Sequence, residues 1–162
     1  MRKAEIGIIR LKFQSIDPKE LVNISVNPFK TQIEEKEINL EIHIPEVEPI
    51  TADAEKICWV LTNFIGNALR YTPRWGKIKI RITQRPKETE FSVEDSGYGI
   101  DPQTQSRIFE PLTGDGESTV KGGGLALAIS REIIEAHGGT IGVESQVGRG
   151  SRFYFILPNS VI

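Results

Sequence analysis

The chain has 162 residues, 38% of them hydrophobic and 26% charged, which is the profile of one soluble globular domain. Its 20 basic and 22 acidic residues leave a formal charge of −2, so no electrostatic footprint points to nucleic acid or an anionic membrane. The single cysteine, Cys58, excludes an internal disulfide and a cysteine-cluster metal site, and its apolar surroundings read it as a small buried hydrophobe.

No apolar run approaches the roughly 18–20 residues of a membrane helix. The first ten residues, MRKAEIGIIR, have too short an apolar core for a secretory signal. The expectation is a cytoplasmic chain with no direct membrane contact.

Residues 4–16 carry an apolar run (Ile6, Ile8, Ile9, Leu11, Phe13) that reads as a strand. Asp17-Pro18-Lys19-Glu20 then signals a helix start, with Asp as cap and Pro at the first helical position. Leu21, Ile24, Phe29 and Ile33 form its apolar stripe, and Pro28 is expected to bend it. Ile38, Leu40, Ile42 and Ile44 alternate with polar residues, the signature of a half-buried strand.

Asp53 caps a long helix reaching about Tyr71. Residues 77–82 and 90–94 are two further alternating strands around a turn at Pro86, and a short helix follows Asp101-Pro102. Residues 111–123 read as a mobile loop, Gly124 to His137 as a helix stopped by Gly138-Gly139, and 140–145 and 151–157 as closing strands. His43 falls on a solvated face, and His137 is placed where a cation suits a helix C-terminus. Neither has metal-ligand neighbours at suitable spacing.

Parallel sheets buried on both faces carry continuous apolar strands; these strands alternate. The expected class is therefore α+β: a two-layer α/β sandwich with a mixed, mostly antiparallel sheet and helices on one face.

Three segments stand out chemically. On the helix after Asp53, Asn63, Asn67 and Arg70 fall within about 60° of one another, away from the apolar stripe. Asn and Gly are poor helix formers, so a face holding two asparagines with Gly66 between them suggests a ligand; packing on a polar neighbour is an equal alternative. Asp95-Ser96-Gly97-Tyr98-Gly99 follows a strand, and its glycines allow positive φ and close approach of backbone to a ligand. Taken alone it is a strand-end turn. Gly122-Gly123-Gly124 opens a helix and would offer free N–H groups to an anion, although it is neither a Walker loop nor a dinucleotide fingerprint.

In order, Asn63-x3-Asn67-x2-Arg70-Tyr71, Asp95-x-Gly97-x-Gly99, Ile108-Phe109-Glu110-Pro111 and Gly122-Gly123-Gly124-Leu125-Ala126-Leu127 resemble the N, G1, F and G2 boxes of the catalytic ATP-binding domain of bacterial sensor histidine kinases. These belong, with gyrase, the heat-shock chaperone and the mismatch-repair ATPases, to the superfamily with the Bergerat ATP-binding fold. The resemblance runs from about Leu11 to Pro158, and makes 1–162 one catalytic domain, with 1–10 as a remnant of a linker and 111–123 as the lid over the nucleotide.

The resemblance implies ATP and Mg2+ as ligands. It makes Asp95 the acceptor for the adenine amino group, with Gly97 and Gly99 shaping the turn beside it. Ser151 helps to hold the adenine-side water, and Asn67 is the magnesium ligand. Arg70 reaches the phosphates, Tyr71 flanks the nucleotide, and Gly122, Gly123, Gly124 and Leu125 lie against the phosphates, with Lys121 as the γ-phosphate contact. Asn63 stands where the hydrolysing relatives carry a glutamate base. An amide cannot take a proton, so the site suits transfer of the γ-phosphoryl to an outside nucleophile rather than to water.

In such kinases the acceptor is a histidine on a separate dimerisation domain, with a response regulator further downstream. Neither His43 nor His137 has the sequence context of that histidine. Ala126 in place of a G2 glycine, Gly123 in place of a small or hydroxyl residue, and an F box without its second aromatic depart from the pattern. They motivate one alternative, a nucleotide-binding regulatory module without transfer; a third reading, an ATP-hydrolysing clamp, would need a water-activating base that Asn63 does not supply.

Overall fold

The structure is a computed structural model and describes residues 9–111 and 124–160. In chain order these residues form β1 (Gln14–Ile16), α1 (Pro18–Val26), a 3-10 turn (Asn27–Phe29), α2 (Lys30–Glu35), β2 (Asn39–His43), β3 (Ile50–Ala52) and α3 (Ala54–Tyr71). There follow β4 (Lys77–Gln84), β5 (Glu88–Asp95), α4 (Pro102–Gln105), α5 (Gly124–Ala136), β6 (Thr140–Gln146) and β7 (Gly150–Pro158). Among the described residues, five strands make one sheet in the order β2-β4-β5-β7-β6, parallel only at β2·β4, and β1 pairs with β3 in a separate antiparallel ribbon. This is the expected mixed, mostly antiparallel sheet of an α/β sandwich.

Alternation in β4, β5 and β7 turns Ile78, Ile80, Phe91, Val93, Phe153 and Phe155 toward the helices, where all are buried. The apolar stripe of α3 covers them. Phe64 lies 5.3 Å from the Phe153 ring and 5.9 Å from Phe155, and Phe91 stacks on Phe155 at 4.9 Å. Each fully buried phenylalanine contributes about 1.5–3 kcal/mol by leaving water. The opposite face is polar, and Arg152 there bridges Glu90 at 2.8 Å and Glu144 at 3.0 Å.

The caps follow the sequence. The Asp17 side chain accepts from Lys19 N at 3.0 Å, Asp53 from Lys56 N at 3.2 Å, and Asp101 from Thr104 N at 2.8 Å.

Several expectations change. Among the described residues, the first apolar run is a strand only over Gln14–Ile16, because its partner β3 is itself three residues long. That partner escaped notice because three residues between Pro49 and Asp53 show no periodicity. Pro28 does more than bend the helix: the α-helix ends at Val26, a 3-10 turn carries the proline, and a new helix starts at Lys30. Ile24 is 55% exposed, and Val22, Ser25 and Val26 face the core with Leu21. Cys58 is only half-buried, with burial pushing its thiol up.

His137 is not a cation at a helix end. It is 6% exposed, its Nδ1 is 2.8 Å from the Ile133 carbonyl, and its Nε2 accepts from the Asp53 backbone N–H at 3.1 Å. A carbonyl only accepts and an N–H only donates, so the ring is the neutral Nδ1–H tautomer. Burial pushes its pKa below the ordinary histidine value. The loop expected at 111–123 lies outside the described residues from 112 onward, as does most of the 1–10 segment.

Candidate functional site

β5 places an acid where its inward apolar row ends. Asp95 has the parity of Phe91 and Val93 and pairs across the ladder with Ser151 of β7. It is 8% exposed, and burial pushes its carboxyl above the usual aspartate range. The Gly97 N–H, which Oδ1 accepts at 2.8 Å, and the Ser151 N–H oppose that rise.

The turn after Asp95 depends on its glycines for two different reasons. A Cβ on Gly97 would lie 2.4 Å from the Tyr71 carbonyl, so this glycine lets the turn meet the end of α3 rather than a ligand. Gly99 has φ +80, and a Cβ there would lie 2.2 Å from the Gln146 carbonyl.

Above Asp95 lies a cavity of about 150 Å³ lined by Asn67, Tyr71, Asp95, Gly99 and Ser151 together with Ile100, Asp101, Thr104, Ile108 and Phe153. The first five are residues singled out in the sequence, drawn together from α3, the β5 turn and β7. Ile108 and Phe153 give one wall an apolar surface. Asp101 belongs to the α4 cap, and the Thr104 N–H holds its carboxyl below the usual range.

Ser145, on β6, was not legible beforehand. Its hydroxyl lies 2.8 Å from Ile100 N, 2.9 Å from the Gly150 carbonyl and 2.8 Å from Ser151 Oγ, so one side chain ties two walls of the cavity together. The Gln105 amide reinforces it by donating to the Ile100 and Ser145 carbonyls at 2.7 and 3.0 Å.

Asn67 is 6% exposed, and its Oδ1 accepts from Arg70 Nη1 at 3.1 Å, which fixes which end of the amide is oxygen. The Arg70 guanidinium lies 5.7 Å from the Tyr71 ring centroid. Arg70 does not line the cavity, and neither does Asn63, whose Nδ2 donates to the Trp59 carbonyl at 2.9 Å one turn back. Gly66 points elsewhere: a Cβ there would face only the Phe29 ring at 3.6 Å. Gly124 begins α5, and Leu125 is 59% exposed. Lys121, Gly122 and Gly123 lie outside the described residues. Neither His43 nor His137 lines the cavity.

An amide-bearing helix over a sheet-end acid, with a small cavity between them, defines an α/β sandwich with a ligand-sized site at the end of its sheet. A family profile described as histidine kinase-, DNA gyrase B-, and HSP90-like ATPase matches residues 52–161, and the chain belongs to that family. It is 35% identical over 156 residues to the alginate biosynthesis sensor protein KinB of Pseudomonas aeruginosa, covering 95% of this chain and 26% of that protein. It is 34% identical to the adaptive-response sensory kinase SasA of Thermosynechococcus vestitus, covering 93% of this chain and 40% of the relative. The chain thus spans well under half of these curated relatives.

The solved catalytic domain of histidine kinase ThkA superposes with a TM-score of 0.83 at 31% identity, covering 93% of this chain and 99% of that domain. ThkA in complex with response regulator protein TrrA gives 0.81 at 30% identity, covering 97% of this chain and 45% of that one. The chain therefore has the fold of a sensor histidine kinase catalytic domain. No helix among the described residues is long and apolar enough to cross a membrane.

Proposed function

We propose that this chain is the ATP-binding catalytic domain of a two-component sensor histidine kinase, which hands the γ-phosphoryl of ATP to a histidine on a separate dimerisation domain in the cytoplasm. The observation that carries the reading is the convergence of Asn67 on α3 and Asp95 on β5 at one cavity. In this reading Asp95 accepts from the adenine amino group, which guanine replaces with a carbonyl. Ser151 supports that end, Tyr71 flanks the base, and Arg70 with Lys121 and Gly122 to Leu125 serve the phosphates.

Asn67 suits magnesium as a hard neutral oxygen donor. Magnesium prefers hard oxygen ligands, so phosphate and water oxygens would fill the rest of its shell. The ion would neutralise phosphate charge. Asn63 offers no base for water, and the incoming imidazole needs none. Its nitrogen lone pair forms the N–P bond as the bridging P–O bond breaks, ADP departs with that electron pair, and the ring then releases its N–H proton.

Calorimetric titration with ATP, ADP and GTP, with and without Mg2+, tests the binding half. Asn67→Ala is expected to weaken Mg-dependent binding more than metal-free binding, and equal loss in both would remove the metal role. Incubation with the dimerisation domain and labelled ATP is expected to give acid-labile phosphohistidine; good binding with no label on the partner would favour the regulatory module.

A further inference from the structure

Away from the cavity, three chain segments meet at the start of α3. The Asp53 carboxylate accepts from the Lys12 backbone N–H at 2.8 Å as well as from Lys56 N–H, and the Lys56 ammonium lies 3.7 Å away. The Asp53 backbone N–H is given to His137 Nε2, at the end of α5. The Phe13 ring meets the His137 ring edge-on, with centroids 5.5 Å apart and planes at 75°. The segment entering the domain at Lys12-Phe13 is thus held by one carboxylate and one imidazole, both buried.

We propose that His137 is a proton-released latch, whose neutral ring fastens the entering segment to α3 and α5 and whose protonation sets that segment free. The chemistry leaves one route. In the neutral ring Nε2 is the sole acceptor for the Asp53 N–H, because Nδ1–H is committed to the Ile133 carbonyl. A second ring proton must sit on Nε2, where it confronts another donor. That N–H contact becomes repulsive, and a charged ring is left 6% exposed.

Among the described residues the charged groups around the ring are Asp53 and Lys56. On α3 the Asp53 carboxylate favours the cation and the Lys56 ammonium opposes it; from its own helix the ring receives only the Ile133 carbonyl. Each carboxylate oxygen already accepts one backbone N–H, Oδ2 from Lys12 and Oδ1 from Lys56, so a charged donor drawn to either weakens a bond already made there. A protonated ring therefore competes for the acceptor that holds Lys12, or leaves its slot and removes the surface on which Phe13 rests. Both routes undo the same strap. Burial favours the neutral ring, so release falls below the ordinary histidine value of 6.5.

Hydrogen exchange of the 162-residue chain between pH 8 and 4.5, corrected for intrinsic rates, reads this directly, because the Lys12 amide is itself the bond to Asp53. Protection at Lys12 is expected to fall by about tenfold or more through a midpoint below 6.5, while amides of β5 and β7 stay protected. His137→Gln keeps an acceptor for the Asp53 N–H and does not titrate, so its Lys12 protection should be flat over this range. Unchanged Lys12 protection in the native chain, or the same fall in the Gln variant, overturns the latch. Should the variant not fold, the ring resonances of native His137 decide. A ring that gains its proton with no matching change at Lys12 also overturns it, and a shared midpoint supports it.

Discussion

Asp95→Asn separates recognition from folding. The carboxylate has about four lone-pair sites, and the Gly97 and Ser151 N–H groups take two of them. The cavity-facing remainder is what an adenine amino group would meet. Asparagine can keep its oxygen on Gly97, but its amino group must then face Ser151 N–H or the cavity, where it opposes another donor. A hydrogen bond to a charged acceptor contributes about 1.5–3 kcal/mol, and an unpaired buried donor costs about 1–3 kcal/mol. A combined loss of about 3 kcal/mol or more weakens ATP binding by roughly 100-fold or more.

The fold should survive. Burial raises the Asp95 pKa, so its charge opposes folding above that pKa, and acidification through it favours the folded state while removing the acceptor. Calorimetric titration with ATP at neutral pH, with thermal melts of both proteins, provides the check. A variant that melts like the native protein and binds ATP equally well would refute the assignment of Asp95 to the base.

Two further outcomes concern stability. Gly66→Ala should raise stability by about 0.5–1 kcal/mol, a few degrees in Tm, because the helix loses an unfavourable glycine and the new methyl meets only the Phe29 ring at ordinary contact distance. A lower Tm would show that the space is needed. Burial alone would raise the Glu90 carboxyl, but Arg152 and Arg85 outweigh it and hold it below the usual range. Its contribution is therefore present above about pH 4.5 and lost as pH falls through the lowered value. Glu90→Gln should cost about 1 kcal/mol in urea unfolding at pH 7, discounted for the partly exposed arginines, and progressively less as the pH is lowered below 4.5; a cost that does not shrink on acidification would contradict the pairing.

Much of the fold was legible because its signals are local. The caps at Asp17, Asp53 and Asp101 need only their own first turns, and alternation in β4, β5 and β7 marks its own inward face. Tertiary events hid the rest. β3 exists because β1 lies opposite it. Ser145 is informative only after β6 is registered against β7, and His137 only after the end of α5 reaches Asp53. Gly66 misled the reading of its face, because a glycine that packs under Phe29 and one that admits a ligand look alike in sequence. Gly97 also earned its place through Tyr71, a contact between elements far apart in the chain.

The single parallel pairing in the sheet has a kinetic consequence. β4 and β5 are joined by a hairpin, as are β6 and β7, with Gln84 opposite Thr89 and Gln146 opposite Gly150. β2, by contrast, meets β4 with Asn39 opposite Lys77, and all of β3 and α3 lies in the intervening loop. Contacts separated by a long loop are entropically slow to close. The helix that carries Asn67 is therefore expected to settle late, after the hairpins have formed the floor beneath it. Pulse-labelled exchange during refolding should find the hairpin amides protected before those of β2 and α3, and simultaneous protection would contradict this order.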